Sequence, residues 1–251
     1  MDSALVKDLR TLGVKPGNTL MVHASLRSLG TESGGASAVV DDLLEVLGKD
    51  GTLLMPALSY ATVNAQNPVF DVRNTPSCVG ALAEYFRTRP GTMRSVHPTH
   101  SVCGVGRRSE EILSHHLHDT TPVGENSPFA RLPKIGGQVL FIGCGLGPNT
   151  MMHGVEEKVA PPYLLDGTVA YAVTLADGSQ ITMTITGHNF KGWEQHYERL
   201  ESLLYRGLKR GKLLQADCYL MEADEMWFAA LTKLRQTPLF FVDKLGATEV
   251  Y

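Results

Sequence analysis

A buried strand that opens into a glycine-rich loop and then a helix leaves a chain few folds to choose from, and residues 139–157 read that way. Val139-Leu-Phe-Ile142 is an apolar, β-branched-rich run bounded by Gly136-Gly137 and Gly143, as a buried strand should be. Glycines follow at 143, 145 and 147, then Pro148-Asn149-Thr150. Asn149 or Thr150 is placed to cap a helix that carries His153 and Glu156 on one face.

The N-terminal quarter points to the same class. Thr19–His23 reads as a strand, Val39, Val40, Leu43, Leu44 and Leu47 form a helical apolar face closed by Gly48, and Thr52–Pro56 is a second strand. A β-α-β opening predicts a largely parallel sheet with right-handed crossovers. Leu5, Val6, Leu9 and Leu12 share a face of a first helix that Gly13 stops. Residues 57–75 read as a long polar loop, and Thr75-Pro76 as the cap and first turn of a helix over Ser77–Thr88. Ser127-Pro128 looks like another cap. Thr168–Leu175 and Gln180–Thr186 form a hairpin about Ala176-Asp-Gly-Ser179. Trp193, Tyr197, Leu200 and Leu204 fall at helical spacing, predicting a helix over 193–209. Leu213–Met221 then reads as a strand, 223–234 as a helix and Leu239–Val242 as a last strand. The expectation is α/β: a layered α/β/α arrangement around a central, mostly parallel or mixed sheet, with a C-terminal β-hairpin and helices. Without repeat or linker, residues 1–251 read as one domain.

Apolar residues make up 43% and charged residues 20% of the 251, with a net charge of −3, as in ordinary water-soluble domains. No Lys/Arg run asks for nucleic acid, no apolar run suits a membrane, and the charged N-terminus does not resemble a signal peptide. The four cysteines are scattered, which predicts reduced thiols and a cytoplasmic setting.

His153 and Glu156 make an H-x-x-E pair, either a general base supported by a carboxylate or an ion pair on a helix surface. His97-Pro-Thr-His100 is either a backbone-bonded turn or part of a metal site completed by Asp71, His115, His116 or His118. Ser25 and Ser28, just past a strand, suit a phosphate or pantetheine amide, or else cap a helix. Cys144 is either an acyl-accepting nucleophile or a structural thiol. Neither G-x-S-x-G nor G-x-x-x-x-G-K-[ST] occurs, and Gly143-Cys-Gly-Leu-Gly147 lacks the dinucleotide-binding spacing.

Taken together, six segments resemble the aminoglycoside 3-N-acetyltransferase family. They are His23–Gly30, Asp50–Pro56, Gly80–Arg87, Arg94–Ser101, Ser127–Leu132 and Gly147–Glu156, in order over roughly residues 5–160. This family is distinct from the GCN5-type acetyltransferases. The resemblance implies transfer of acetyl from acetyl-CoA, as co-substrate without a metal, to the 3-amino group of an aminoglycoside, and hence antibiotic resistance. It places the catalytic pair on His153 and Glu156. It implies a CoA tunnel lined by Ser25, Leu26, Arg27, Ser28, His97, Pro98, Thr99, Ser101 and Ser127, in a catalytic part over about 1–160. The acceptor side would span about 161–251, and a polycation calls for carboxylates, with Asp71, Glu125, Glu194 and Glu198 as candidates. Past the hairpin, Thr186–Leu200 departs from the acidic stretch of the best-known members, as in a divergent branch. A different amine acceptor, a metal-dependent hydrolase and a non-catalytic binder are the rival readings. A small-molecule amine is the expected partner, with no nucleic acid or membrane and a possible homodimer.

Overall fold

The computed structural model describes residues 2–246. In chain order the elements are α1 (Ala4–Leu12), β1 (Thr19–Ala24), α2 (Gly35–Leu47), β2 (Thr52–Pro56), β3 (Val69–Asp71) and α3 (Ala81–Thr88). Then come β4 (Met93–Arg94), β5 (Val102–Gly106), α4 (Ser109–Leu113), α5 (Pro128–Arg131), β6 (Gln138–Ile142) and α6 (Met151–Val159). The chain continues through β7 (Leu165–Thr174), β8 (Gln180–His188), β9 (Trp193–Gln195), α7 (Leu200–Leu203), β10 (Lys209–Leu213), β11 (Ala216–Glu222), α8 (Ala223–Gln236) and β12 (Val242–Lys244).

A seven-stranded sheet in the order β10-β11-β6-β1-β2-β5-β4 forms the middle layer. It is mixed: β6, β1 and β2 run parallel at its centre, and every pairing outside them is antiparallel. Strand alternation explains the two helical layers. Leu20, Val22, Leu140 and Ile142 pack with α1, α2 and α3 on one face. Met21, Val139 and Phe141 pack with α4, α5, α6 and α8 on the other. Each fully buried Leu or Phe in these layers contributes about 1.5–3 kcal/mol. Among the described residues no helix is long and apolar enough to cross a membrane.

Beyond the strand ends lies a smaller sheet, β3-β7-β8, over its own core of Val63, Phe70, Tyr171, Val173, Met183 and Ile185. The hairpin is longer than expected and runs to His188. The 57–75 segment is no free loop, because β3 joins β7 and buries Phe70 beneath it.

Four expectations about elements need correction. Residues 193–209 are not one helix but β9, a 3₁₀ turn over Tyr197–Arg199 and the short α7, before β10 begins at Lys209. Leu200 and Leu204 do turn into one core, but Trp193 packs elsewhere, beside Tyr163. The 213–221 strand is β11 but starts later, at Ala216, because Leu213 ends β10 and the chain turns at Leu214 with φ of 51° to form the β10–β11 hairpin. A left-handed leucine is hard to foresee; here Asp8 accepts its N–H at 2.9 Å. The third helix starts at Ala81, since Thr75 is spent accepting the Asp71 N–H. The last strand is Val242–Lys244 rather than Leu239–Val242.

Candidate active site

The three parallel strands end at one place. Val22, His23 and Ala24 of β1, Met55 and Pro56 of β2, and Cys144 just past β6 line a cavity of about 630 Å³. In open α/β sheets, the carboxyl ends of parallel strands are where ligands are held. The small sheet closes the far side through Tyr171, Ile185 and His188, and α6 presents His153.

The turn out of β6 explains how α6 comes so close. Gly143 has φ of 61°, a left-handed conformation that glycine adopts freely. Any Cβ there would overlap Ser28. Thr150 occupies the N-cap of α6 without a side-chain capping bond, while Asn149 is fully buried with its Oδ1 unpartnered. Gly154 lets α6 press against Trp227 of α8, where a Cβ would come within 2.6 Å of the indole.

His153 and Glu156 do share a face of α6, and their surroundings are more elaborate than an ion pair. His153 Nδ1 lies 3.3 Å from Glu156 Oε2 and 2.9 Å from the Tyr197 hydroxyl. Tyr197 also donates to Glu156 Oε2 at 2.7 Å, and Tyr163 donates to Oε1 at 2.8 Å. Glu156 is wholly buried, and the His153 side chain keeps 15% exposure toward the cavity. Burial, and then the adjacent Glu156, raises both tyrosines well above the usual phenol range, so both stay hydrogen-bond donors. The carboxylate is thereby fixed on both oxygens and the imidazole is held at Nδ1, leaving Nε2 as the free nitrogen. A carboxylate that orients a histidine in this way prepares it as a proton acceptor.

Two more imidazoles crowd the same spot. His188 centres 4.8 Å and His100 6.2 Å from His153. His188 Nε2 bonds Glu157 at 2.7 Å, and Thr121 and the Val123 N–H complete that carboxylate at 2.6 and 2.8 Å. Burial raises Glu157 despite those bonds. Burial, then neighbouring histidines, holds His100 and His188 well below the usual imidazole range. His23, stacked 4.8 Å over Phe141, is lowered by burial to about 3. Cys144 lines the cavity with its thiol pushed up to about 11 by burial, a poor start for a nucleophile that must ionise.

The other expected residues divide sharply. Thr99 lines the cavity, its hydroxyl 2.8 Å from His100 Nδ1. His97 is buried behind it, accepting the N–H groups of Thr99 and His100, and the Pro98 carbonyl takes the Ser59 hydroxyl. Ser101 is buried, donating to the Ala57 carbonyl and accepting from Arg94. Ser127 caps α5 through the Ala130 N–H. Ser25, Leu26, Arg27 and Ser28 occupy the 3₁₀ turn after β1, outside the cavity lining; Ser28 donates to the Ser25 carbonyl. Asp71 closes its own turn on the Arg73 and Asn74 N–H groups. Glu125 pairs with Lys158, and Glu194 and Glu198 are exposed around His196. None of these four carboxylates lines the cavity.

Sequence reasoning missed Tyr163, Tyr197, His188 and Glu157 as parts of the site. Tyr197 was hidden in a false helical period. His188 ends a strand in Thr-Gly-His-Asn, where nothing local distinguishes it from a surface residue.

A buried histidine–carboxylate pair at the ends of parallel strands, facing a deep mixed cavity, marks the candidate site of an α/β enzyme. The comparisons make that class specific. The family model described as aminoglycoside 3-N-acetyltransferase matches residues 21–235, and the chain belongs to that family. It is 30% identical to aminoglycoside N(3)-acetyltransferase III of Pseudomonas aeruginosa, over 88% of this chain and 89% of that one. Among solved structures it resembles aminoglycoside acetyltransferase AAC(3)-IVa in a histidine-to-alanine mutant complexed with a gentamicin. That match has a TM-score of 0.81 and 28% identity, covering 96% and 90% of the two chains. The fold is also that of AAC-IIIb, solved as a binary complex with CoASH: TM-score 0.80, 24% identity, coverage 92% and 95%.

Proposed function

We propose that the chain transfers acetyl from acetyl-CoA directly to the 3-amino group of an aminoglycoside, with His153 as general base. The observation that carries this is the Glu156 carboxylate, wholly buried yet bonded to His153 and two tyrosines. So costly a group is kept where a charge must be met at one atom. The acceptor ammonium must first release a proton to bulk water to become nucleophilic. His153 Nε2 takes a proton, directly or through water, as nitrogen attacks the thioester carbonyl carbon. The tetrahedral intermediate collapses with loss of the C–S bond, and the thiolate recovers a proton from the imidazolium as CoA. Glu156 stabilises that imidazolium, and N–H groups of the glycine loop are the proposed oxyanion donors. Ser25, Leu26, Arg27, Ser28, the His97–Ser101 turn and Ser127 are proposed to shape the CoA side, Ser127 by capping α5. Asp71, Glu125, Glu194 and Glu198 remain the proposed acceptor carboxylates, which requires loop movement or contact with the outer rings of the substrate.

A second reading has one observation behind it. No Asp or Glu lines the cavity among the described residues, whereas a polycation favours carboxylates. An acyltransferase acting on a less highly charged amine would suit that lining.

Acetylated product, followed by mass across aminoglycosides and simple amines, tests both. Aminoglycoside-dependent transfer that falls at least about 10³-fold in His153→Ala, with CoA affinity kept, is the expected result. Transfer to simple amines alone would select the second reading, and unimpaired turnover by the mutant would remove His153 from its role.

A further inference from the structure

We propose that His100, His153 and His188 form a binding site for a divalent transition ion of the Zn²⁺ class, and that the bound ion inhibits the enzyme. The ring nitrogens these residues offer lie within 4.8 Å of one another. In each ring one nitrogen is already engaged: His100 Nδ1 with Thr99 Oγ1, His153 Nδ1 with Glu156 and Tyr197, His188 Nε2 with Glu157. The nitrogens left over are His100 Nε2, His153 Nε2 and His188 Nδ1. His188 Nδ1 is buried without a partner. If Glu157 and Glu156 each accept an N–H, the opposite nitrogens of His188 and His153 carry lone pairs.

That is the donor set and the outer support of a three-histidine site: convergent imidazoles whose far nitrogens are held by carboxylates or a hydroxyl. Imidazole nitrogen suits Zn²⁺, Cu²⁺ or Ni²⁺ and not Mg²⁺ or Ca²⁺, which take oxygen. Tetrahedral zinc with bonds of about 2.0–2.1 Å needs nitrogens about 3.3 Å apart, so binding requires these rings to draw together. All three histidines line the cavity, so water is the natural fourth ligand.

Inhibition follows from which lone pair the ion takes. His153 Nε2 cannot accept a proton while it is a ligand, and two added positive charges repel a cationic acceptor in a cavity without carboxylate lining. This half of the inference rests on His153 being the base; ion binding itself does not.

The test uses chelator-treated full-length protein titrated with Co²⁺, whose visible spectrum reports tetrahedral coordination, and with Zn²⁺ by calorimetry. Wild type, His100→Ala, His188→Ala and a control lacking the exposed His115 and His118 are compared, with circular dichroism to check folding. Transfer is followed by product mass, because Zn²⁺ binds thiols and would disturb a thiol assay. Expected are one ion per chain in wild type and control, and affinity about 10- to 100-fold weaker in both single variants. Saturating Zn²⁺ should lower transfer at least about tenfold, reversed by chelator. Absence of saturable binding, or wild-type affinity in both folded variants, overturns the site. Binding of one ion with unchanged transfer overturns the inhibition. If no amine is acetylated, the spectrum still decides the site, and the failure belongs to the acyl-transfer reading.

Discussion

Tyr197 is the residue on which the site turns, since one hydroxyl touches both His153 and Glu156. Tyr197→Phe keeps the ring and removes that link. We expect kcat to fall about 10- to 100-fold with KM for acetyl-CoA little changed, and stability to drop by about 1–3 kcal/mol for the buried carboxylate left short of a donor. Steady-state kinetics and a denaturant titration check the two halves. The buried neutral histidines give a pH signature. His23 and His116 are both held at about 3 by burial, against 6.5 when unfolded. Their folded values are depressed, so the unfolded chain binds more protons below pH 6.5. The stability they support is present above that pH and is lost as pH falls toward about 3. Between these limits each contributes a slope of up to about 1.4 kcal/mol per pH unit. Thermal melts at pH 7, 6 and 5 should therefore fall progressively, and His116→Gln should flatten the decline. That His153 and Glu156 meet was legible from sequence because H-x-x-E is a local helical spacing. The tyrosines that fix it come from segments 7 and 41 residues away from Glu156, and no local pattern announces that meeting.

Elements with a strong internal period were readable; those defined by tertiary contact were not. The first helix, the β-α-β opening, β6 and the β7–β8 hairpin follow from alternation, helical faces and turn residues. The 193–209 segment failed because four apolar residues at helical spacing serve different cores. The β10–β11 turn failed because it uses a left-handed leucine. Gly143 tests how tightly the β6–α6 junction is drawn. Gly143→Ala meets both a left-handed φ and Ser28, and should cost about 2–4 kcal/mol while lowering activity. Adding Ser28→Gly removes the overlap but not the backbone strain, so part of that loss should return. Equal stability of Gly143→Ala and wild type would mean the junction is looser than described.

Across the whole molecule, the cysteines report how the layers are closed. Cys78 is exposed and Cys144 partly so, whereas Cys103 and Cys218 are buried in the sheet, with burial raising Cys103 to about 12 and Cys218 to about 11. A disulfide reagent should modify Cys78 quickly and Cys144 slowly in the native protein. Cys103 and Cys218 should react only when it unfolds, which labelling followed by mass analysis can follow. Early reaction at Cys103 would contradict the layered packing. The side chain of Gln195 has a consequence at this scale too. It lines the cavity and donates to the Tyr197 hydroxyl at 2.8 Å, so a residue of the cavity wall also steadies the proposed base. Shape and proton transfer are then not separable modules. A loop graft meant to retune the acceptor would inherit the donor's chemistry along with its preferences, and lineages drifting toward new amines must change both in step.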